Sequence, residues 1–168
     1  MKSLFCVIFF VGLLSCNPQL ENPIIRTTKK IKAPDFVLAD LNGKKITLKG
    51  LGGKVVFLDF WATWCPPCIV SVPEIEKLAD EYRGRDFQLV SISLDEDVEA
   101  VKKFMKWRNM TTQVTMAGNT QVDLQYRVTG LPSFFIIDKQ GYLVGAWNGY
   151  HPSLIEIWKK EIDRLLEV

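Results

Sequence analysis

Two cysteines separated by two prolines are the residues best suited to carry chemistry. The segment from Trp61 to Cys68 reads WATWCPPC, between an apolar run and residues spaced as on a helix. This arrangement predicts Cys65 at a helix N-terminus and Cys68 one turn inside it. The positive end of the helix dipole favours a thiolate and lowers the pKa of the first cysteine. We therefore predict that Cys65 attacks a disulfide and that Cys68 resolves the mixed disulfide.

Three non-catalytic interpretations of the cysteine pair stay open. Half of a zinc site would need two further ligands, for which only Cys6, Cys16 and His151 are present. A structural disulfide across so short a loop would add little stability. The pair could also be two inert buried thiols, although its position directly after a strand favours the redox interpretation.

Asp59 is the one charge in the apolar run before the cysteines. Alternation along a strand places it on the same face as Val55, Phe57 and Trp61. Burial would raise the pKa of this carboxyl group, which suits a general base that takes the proton from Cys68. The alternative is a carboxylate near a strand end that reaches solvent.

The elements that position these residues predict an α/β domain over residues 33–168. Phe36 to Leu48 has hairpin spacing with Asn42-Gly43 at its turn. Three segments follow with the pattern of a βαβ unit, which implies parallel pairing: a strand over 54–61, a helix from Pro66 to near Gly84 and a strand over 87–94. After a second helix and a looser stretch over 109–119, we predict a short helix over 121–126, a second hairpin over 134–147 and a final helix.

Pro132 lies in a loop that enters a predicted strand. Only X-Pro bonds adopt the cis form at appreciable frequency. A cis bond would expose the backbone of Leu131 as a short edge for an extended substrate. An ordinary trans turn stays open as the alternative. Trp64 is expected at the rim of the site, beside Cys65.

The N-terminus predicts export. Residues 1–16 combine Lys2, an apolar run and Leu13-Leu14-Ser15-Cys16, which resembles a bacterial lipobox with Cys16 as the lipidated residue. Residues 17–32 have no apolar period and predict a tether to the membrane. A buried N-terminal helix and a signal without lipidation are the alternatives.

Composition excludes several classes of protein. The 168 residues are 48% hydrophobic and 24% charged, which fits one globular domain and not a disordered or fibrous chain. The net charge of +2 is spread along the sequence, so we predict no nucleic-acid partner.

Together these motifs make the chain resemble the thioredoxin-like family, in particular its exported, membrane-tethered thiol-disulfide oxidoreductases of the TlpA/ResA type. The resemblance implies a thioredoxin-like fold, with a central mixed β-sheet flanked by helices and an N-terminal β-hairpin extension. It implies a Cys65 nucleophile, a Cys68 resolving thiol, a buried Asp59 base and a cis Pro132, with no cofactor and no metal. The residues expected to bind substrate are Trp64, Pro66, Pro67, Leu131 and Pro132.

The chain departs from this type at two positions. Many of these reductases carry a glutamate three residues after the second cysteine, where this chain has Ser71. The residue before the cis-proline is often Thr or Val in the wider family, and here it is Leu131. Asp59 is therefore expected to handle protons alone, in a more apolar substrate groove.

The direction of electron flow is predicted from the two intervening prolines. They provide no N–H groups for the Cys65 sulfur, so the thiolate is only moderately stabilised and a reductase is expected. The resemblance implies disulfide-containing envelope proteins, such as apocytochrome c, as partners, and a membrane electron donor. The alternatives are a disulfide-forming oxidase or peroxide-linked thiol protein, a Cu(I)-binding module that uses His151, and a non-catalytic scaffold.

Overall fold

The computed structural model describes residues 30–168, which form one eight-stranded mixed sheet with helices on its faces. The strands lie in the order β1-β8-β7-β4-β5-β6-β2-β3. Their bounds are β1 Ile31–Lys32, β2 Val37–Asp40, β3 Lys45–Thr47, β4 Val55–Trp61, β5 Phe87–Ser93, β6 Val114–Met116, β7 Ser133–Ile137 and β8 Tyr142–Asn148. The α-helices are α1 Pro66–Glu81, α2 Val98–Arg108, α3 Val122–Gln125 and α4 Leu154–Leu166.

The central strand β4 is buried along its whole length because it has a neighbour on each side and a packed layer on each face. It pairs in parallel with β5 and antiparallel with β7. The registers place Phe60 opposite Ser133, so the end of β4 and the start of β7 meet at one end of the sheet. This pairing brings Pro132 to the end of the sheet that leads into Cys65.

Alternate residues of β4 belong to two different cores. Val55 and Phe57 pack with α1 and α4, where Trp158 is fully buried and its ring lies 5.0 Å from that of Phe57. Val56, Leu58 and Phe60 pack on the other face with the N-terminal hairpin and Tyr126. The predicted hairpin, βαβ unit and final helix are therefore confirmed, and so is the mixed sheet flanked by helices.

The structure differs from the sequence prediction in the stretch 109–119, which we expected to be loose. Val114–Met116 forms β6, which pairs in parallel with β5 and antiparallel with β2. Because β6 has only three residues, its apolar pattern is too short to detect. It attaches the N-terminal hairpin to the rest of the sheet.

The sheet begins at Ile31, before residue 33, where the sequence predicts the start of the domain. Ile31 and Lys32 pair antiparallel with Leu143 and Tyr142 of β8. The predicted signal peptide, Cys16 and residues 17–29 of the tether lie outside the described residues. Within residues 30–168, no helix has the length and apolar character needed to cross a membrane.

Candidate active site

Cys65 and Cys68 form a disulfide at the start of α1, with their Cα atoms 5.3 Å apart. Cys65 is the N-cap residue and Pro66 and Pro67 open the helix, as the sequence predicts. Proline suits this position because the first N–H groups of a helix have no partner inside it. Cys65 is 4% exposed and Cys68 is 1% exposed, so the first cysteine is slightly more accessible.

A single backbone N–H is bonded to the sulfur of Cys65 within the described residues. The N–H of Cys68 donates to Cys65 Sγ at 3.3 Å. Pro66 and Pro67 have no N–H to donate. The helix terminus therefore provides one direct hydrogen bond to the position where a thiolate would form.

An exposed apolar rim surrounds the nearly buried disulfide. Trp64 is 67% exposed, and Pro66 and Pro67 are exposed beside it. Trp61 is instead buried, and its ring lies 5.2 Å from that of Phe104 on α2. The two tryptophans of the motif therefore have different places: Trp61 in the core and Trp64 at the rim, where the sequence analysis expects it.

Leu131 also borders the site. It packs against the cluster of buried residues that contains Cys65 and Cys68. The Leu131–Pro132 peptide bond is cis, as the resemblance implies. The structure thus brings together the two cysteines and the Leu131–Pro132 segment, although they are far apart in the chain.

The backbone of Leu131 makes no hydrogen bond within the described residues, whereas the backbone on both sides of it is anchored. The carbonyl of Gly130 accepts a bond from Ser133 Oγ at 2.7 Å. The carbonyl of Pro132 accepts one from the N–H of Gly149 at 2.8 Å. An extended polypeptide could pair with the N–H and C=O of Leu131 without displacing an internal bond.

Asp59 is buried in β4, with 4% of its surface exposed, so the alternative of a solvent-reaching carboxylate is wrong. Ser91 Oγ donates to its Oδ2 at 3.3 Å, and its Oδ1 has no hydrogen-bond partner within residues 30–168. Burial raises the pKa of Asp59 from 3.8 to about 7, and the bond from Ser91 opposes this shift. Such a carboxyl group exchanges protons near neutral pH, as a general base must.

No group of three or more His, Cys, Asp and Glu side chains suited to a metal ion occurs in the part of the chain from residue 30 onward. His151 is exposed, and its Nδ1 accepts the N–H of Ser153 at 3.3 Å. Ser71, at the position of the family's glutamate, is buried and donates its hydroxyl to the carbonyl of Cys68 at 2.9 Å.

Sequence reasoning missed the contacts of Thr63, which links β4 to Cys65. Thr63 is bonded to the buried carboxylate of Asp95, at the end of the neighbouring strand. Asp95 is also bonded to Ser93. The partners are 32 positions apart, so no local pattern reveals this contact.

The sheet order and the disulfide at a helix N-terminus define a thioredoxin-like protein with a redox-active disulfide. The model of the AhpC/TSA family matches residues 30–146. Solved structures agree with this fold. A thiol:disulfide interchange protein of the thioredoxin family from Chlorobium tepidum superposes with a TM-score of 0.73 at 27% identity, over 83% of this chain and 99% of that one. A thiol-disulfide oxidoreductase from Bacteroides fragilis gives 0.68 at 25% identity, over 77% and 98%.

Relatives named thiol-disulfide oxidoreductase ResA are similar in sequence. The Bacillus cereus protein is 42% identical over 67% of this chain and 65% of its own length. The Bacillus subtilis protein is 38% identical over 70% and 65%, so the matched region spans about two thirds of either relative. The Geobacillus kaustophilus protein is 35% identical over 80% and 74%. The chain belongs to the AhpC/TSA family, within its thioredoxin-like thiol-disulfide oxidoreductases, which confirms the predicted family and enzyme class.

Proposed function

We propose that this protein reduces disulfides of other proteins with the Cys65/Cys68 pair. The observation that carries the proposal is the Cys65–Cys68 disulfide at the N-terminus of α1, beside the unbonded backbone of Leu131. A pocket of about 490 Å³ elsewhere on the surface includes no residue of this site. The dithiol instead borders an open rim, which suits a polypeptide substrate better than an enclosed small molecule.

The exchange has two steps. The Cys65 thiolate attacks one sulfur of the substrate disulfide, that bond breaks, and the other substrate sulfur leaves as a thiolate. Cys68 then gives its proton to Asp59, directly or through water, and attacks the Cys65 sulfur of the mixed disulfide. The second substrate sulfur leaves with the electron pair, and the Cys65–Cys68 disulfide is formed. The substrate gains two electrons and the enzyme loses them.

The surroundings of Cys65 Sγ support reduction of the substrate as the direction of electron flow. A strong oxidant needs a highly stabilised thiolate in its reduced form. Here Pro66 and Pro67 contribute no N–H, and Cys68 contributes one bond at 3.3 Å. Moderate stabilisation of the thiolate favours the disulfide form and therefore supports a reductase.

We expect the reduction potential of the pair to lie near that of thioredoxin, about −270 mV. The measurement is equilibration of the protein in glutathione or dithiothreitol buffers. Two samples are compared: residues 30–168 and the full chain. A potential near that of the strong oxidant DsbA, about −120 mV, would instead assign the protein as a disulfide-forming oxidase.

Leu131 is expected to give the substrate groove its preference for apolar partners. Leu131→Thr should raise KM for a disulfide peptide with apolar flanks about tenfold, because a leucine-sized contact contributes about 1.5 kcal/mol. The potential of the dithiol should stay unchanged. Leu124→Thr is the matched control because Leu124 is 65% exposed on α3. An equal rise in KM for both variants would contradict a role of Leu131 in binding.

The location of the enzyme belongs to the same proposal. Residues 1–16 act as an export signal, Cys16 carries a lipid, and the segment from residue 17 up to the first strand, which begins at Ile31, tethers the domain in the cell envelope. Its substrates are then disulfide-containing envelope proteins, with apocytochrome c as one candidate. Because each reduction oxidises the dithiol, an electron donor in the membrane must reduce it again.

Lipidation is tested by Cys16→Ala. Each CH₂ group of a lipid chain that is buried in the membrane contributes about 0.8 kcal/mol to membrane binding. Loss of the acylated residue should therefore release the protein from the membrane fraction. The measurement is fractionation of cells that express the full chain, with Cys6→Ala as the matched control. Retention of the Cys16→Ala protein in the membrane would refute the lipid anchor.

A further inference from the structure

Asp95 is a buried carboxylate that the exchange steps do not use. It follows β5 and is 7% exposed. Its Oδ2 accepts the hydroxyl of Ser93 at 2.8 Å, and its own N–H donates to that hydroxyl oxygen at 3.0 Å. Burying a carboxylate is costly unless it is well bonded. The other hydrogen bonds of the Asp95 carboxylate therefore indicate which role its burial serves.

Those bonds go to Thr63. Asp95 Oδ2 accepts the N–H of Thr63 at 2.9 Å, and Oδ1 accepts its hydroxyl at 2.6 Å. Each carboxylate oxygen thus receives one donor of the same residue. Such a two-point contact fixes the orientation of Thr63 as well as its position.

Thr63 lies in the short link that connects β4 to the nucleophile. The link begins at Ala62, whose carbonyl accepts the N–H of Cys65 at 3.2 Å. Trp64 follows and is 67% exposed, so burial holds it little. Within the described residues, Asp95 is the side-chain partner that ties this link to the neighbouring strand.

We propose that Asp95 is a positioning residue of the redox site, which holds Cys65 and Trp64 in place by binding both donors of Thr63. This inference rests on the proposed role of Cys65 as the nucleophile. Small displacements of a reacting group lower rates strongly, because the attacking sulfur must lie in line with the disulfide that it attacks.

The test compares Asp95→Asn with Thr63→Val in the reduced protein. An asparagine has one acceptor oxygen, so one of the two donors of Thr63 loses its partner. A valine has the shape of threonine without the hydroxyl. We expect each variant to react with oxidised glutathione about tenfold more slowly than the wild type. The Thr63→Ser variant keeps the hydroxyl and should react faster than Thr63→Val.

A double-variant cycle shows whether Asp95 acts through Thr63. If it does, the Asp95→Asn/Thr63→Val protein should be no slower than the slower single variant, because both changes remove the same contact.

Glu96→Gln is the control for charge, since it removes a neighbouring exposed carboxylate that has no bond to Thr63. Two further charged groups are the buried Asp59 on β4 and Arg108 on α2, which donates to the carbonyl of Ile69 at 3.1 Å. Both are unchanged in every variant.

Three results would overturn the inference. The first is a lower melting temperature for Asp95→Asn with a wild-type rate toward oxidised glutathione, which would assign the carboxylate a structural role only. The second is multiplicative slowing in the double variant, and the third is equal slowing by Glu96→Gln. Oxidised glutathione needs no physiological substrate, so an unreactive wild-type Cys65 would refute the proposed function itself. A reactive wild type with an equally reactive Asp95→Asn variant would refute this inference alone.

Discussion

Replacing Cys65 by serine is expected to lower the rate of thiol–disulfide exchange by about a thousandfold or more. A serine hydroxyl is not ionised at neutral pH, so the variant lacks the thiolate that we propose as the nucleophile at the N-terminus of α1. The measurement is reduction of a disulfide peptide at fixed dithiothreitol, with the rate without enzyme subtracted.

Cys68→Ser is the matched variant because it keeps the nucleophile and removes the resolving thiol. It should react once and stop as a mixed disulfide between Cys65 and the substrate, which mass spectrometry of the non-reduced protein detects. If Cys65→Ser accumulates the mixed disulfide through Cys68 instead, the assigned order of attack is wrong. The low exposure of Cys68, 1%, argues for the assigned order.

The second large effect is expected from Asp59→Asn, on stability as a function of pH. Burial raises the pKa of Asp59 from 3.8 to about 7 in the folded protein. Between these two values the folded state binds more protons than the unfolded state, so stability falls as the pH rises. One pKa unit corresponds to about 1.4 kcal/mol, so the wild type should lose about 4 kcal/mol from this group between pH 4 and pH 9. Asparagine does not titrate, and the variant should lack this loss.

The measurement is urea unfolding of the oxidised proteins across this pH range, since the disulfide removes the cysteines from the titration. Asp80→Asn is the control, because Asp80 is exposed on α1 and is bonded to Arg83 at 2.8 Å. The control is expected to follow the wild-type curve. A pH-independent difference between Asp59→Asn and the wild type would show that Asp59 stays ionised when buried.

Asp59 should also determine the pH dependence of the resolving step. Only the ionised carboxylate can accept the Cys68 proton, so the rate of release from a mixed disulfide should fall as the pH drops below about 7. In Asp59→Asn this inflection should disappear and release should be slow throughout. Attack by Cys65, measured separately with oxidised glutathione, should be affected less.

The fold could be predicted from sequence where patterns are long. The buried strand Val55–Trp61 and the helix Pro66–Glu81 carry seven and sixteen residues of consistent pattern. The strand Val114–Met116 has three residues and was missed. Ile31–Lys32 pairs through backbone atoms while both side chains are exposed, so it leaves no apolar pattern to detect.

The candidate site could be predicted in the parts that are local in sequence. The spacing of Cys65 and Cys68 predicts a helix N-terminus, which the structure has. The predicted alternation along β4 is also present, since Val55, Phe57 and Trp61 belong to different clusters from Val56, Leu58 and Phe60. The contact between Thr63 and Asp95 could not be predicted in this way. It depends on the register of β4 against β5, which pairs Trp61 with Ser93 and brings the two loops together. The catalytic and binding roles of these residues stay predictions until the variants are measured.

The antiparallel pairing of β4 with β7 has a consequence for the order in which the enzyme becomes active. β4, α1 and β5 are consecutive and can associate early, since contacts close in sequence cost little loop-closure entropy. β7 pairs with the other edge of β4, and the whole segment between β5 and β7 separates the two strands in the chain. We expect this pairing to form later because it closes a longer loop. We therefore expect a newly made chain to present both cysteines before the Leu131 segment, to which we assign substrate binding, is in place. During that interval its thiols are expected to be open to unselective oxidation, and substrate selectivity should arise only with the last hairpin.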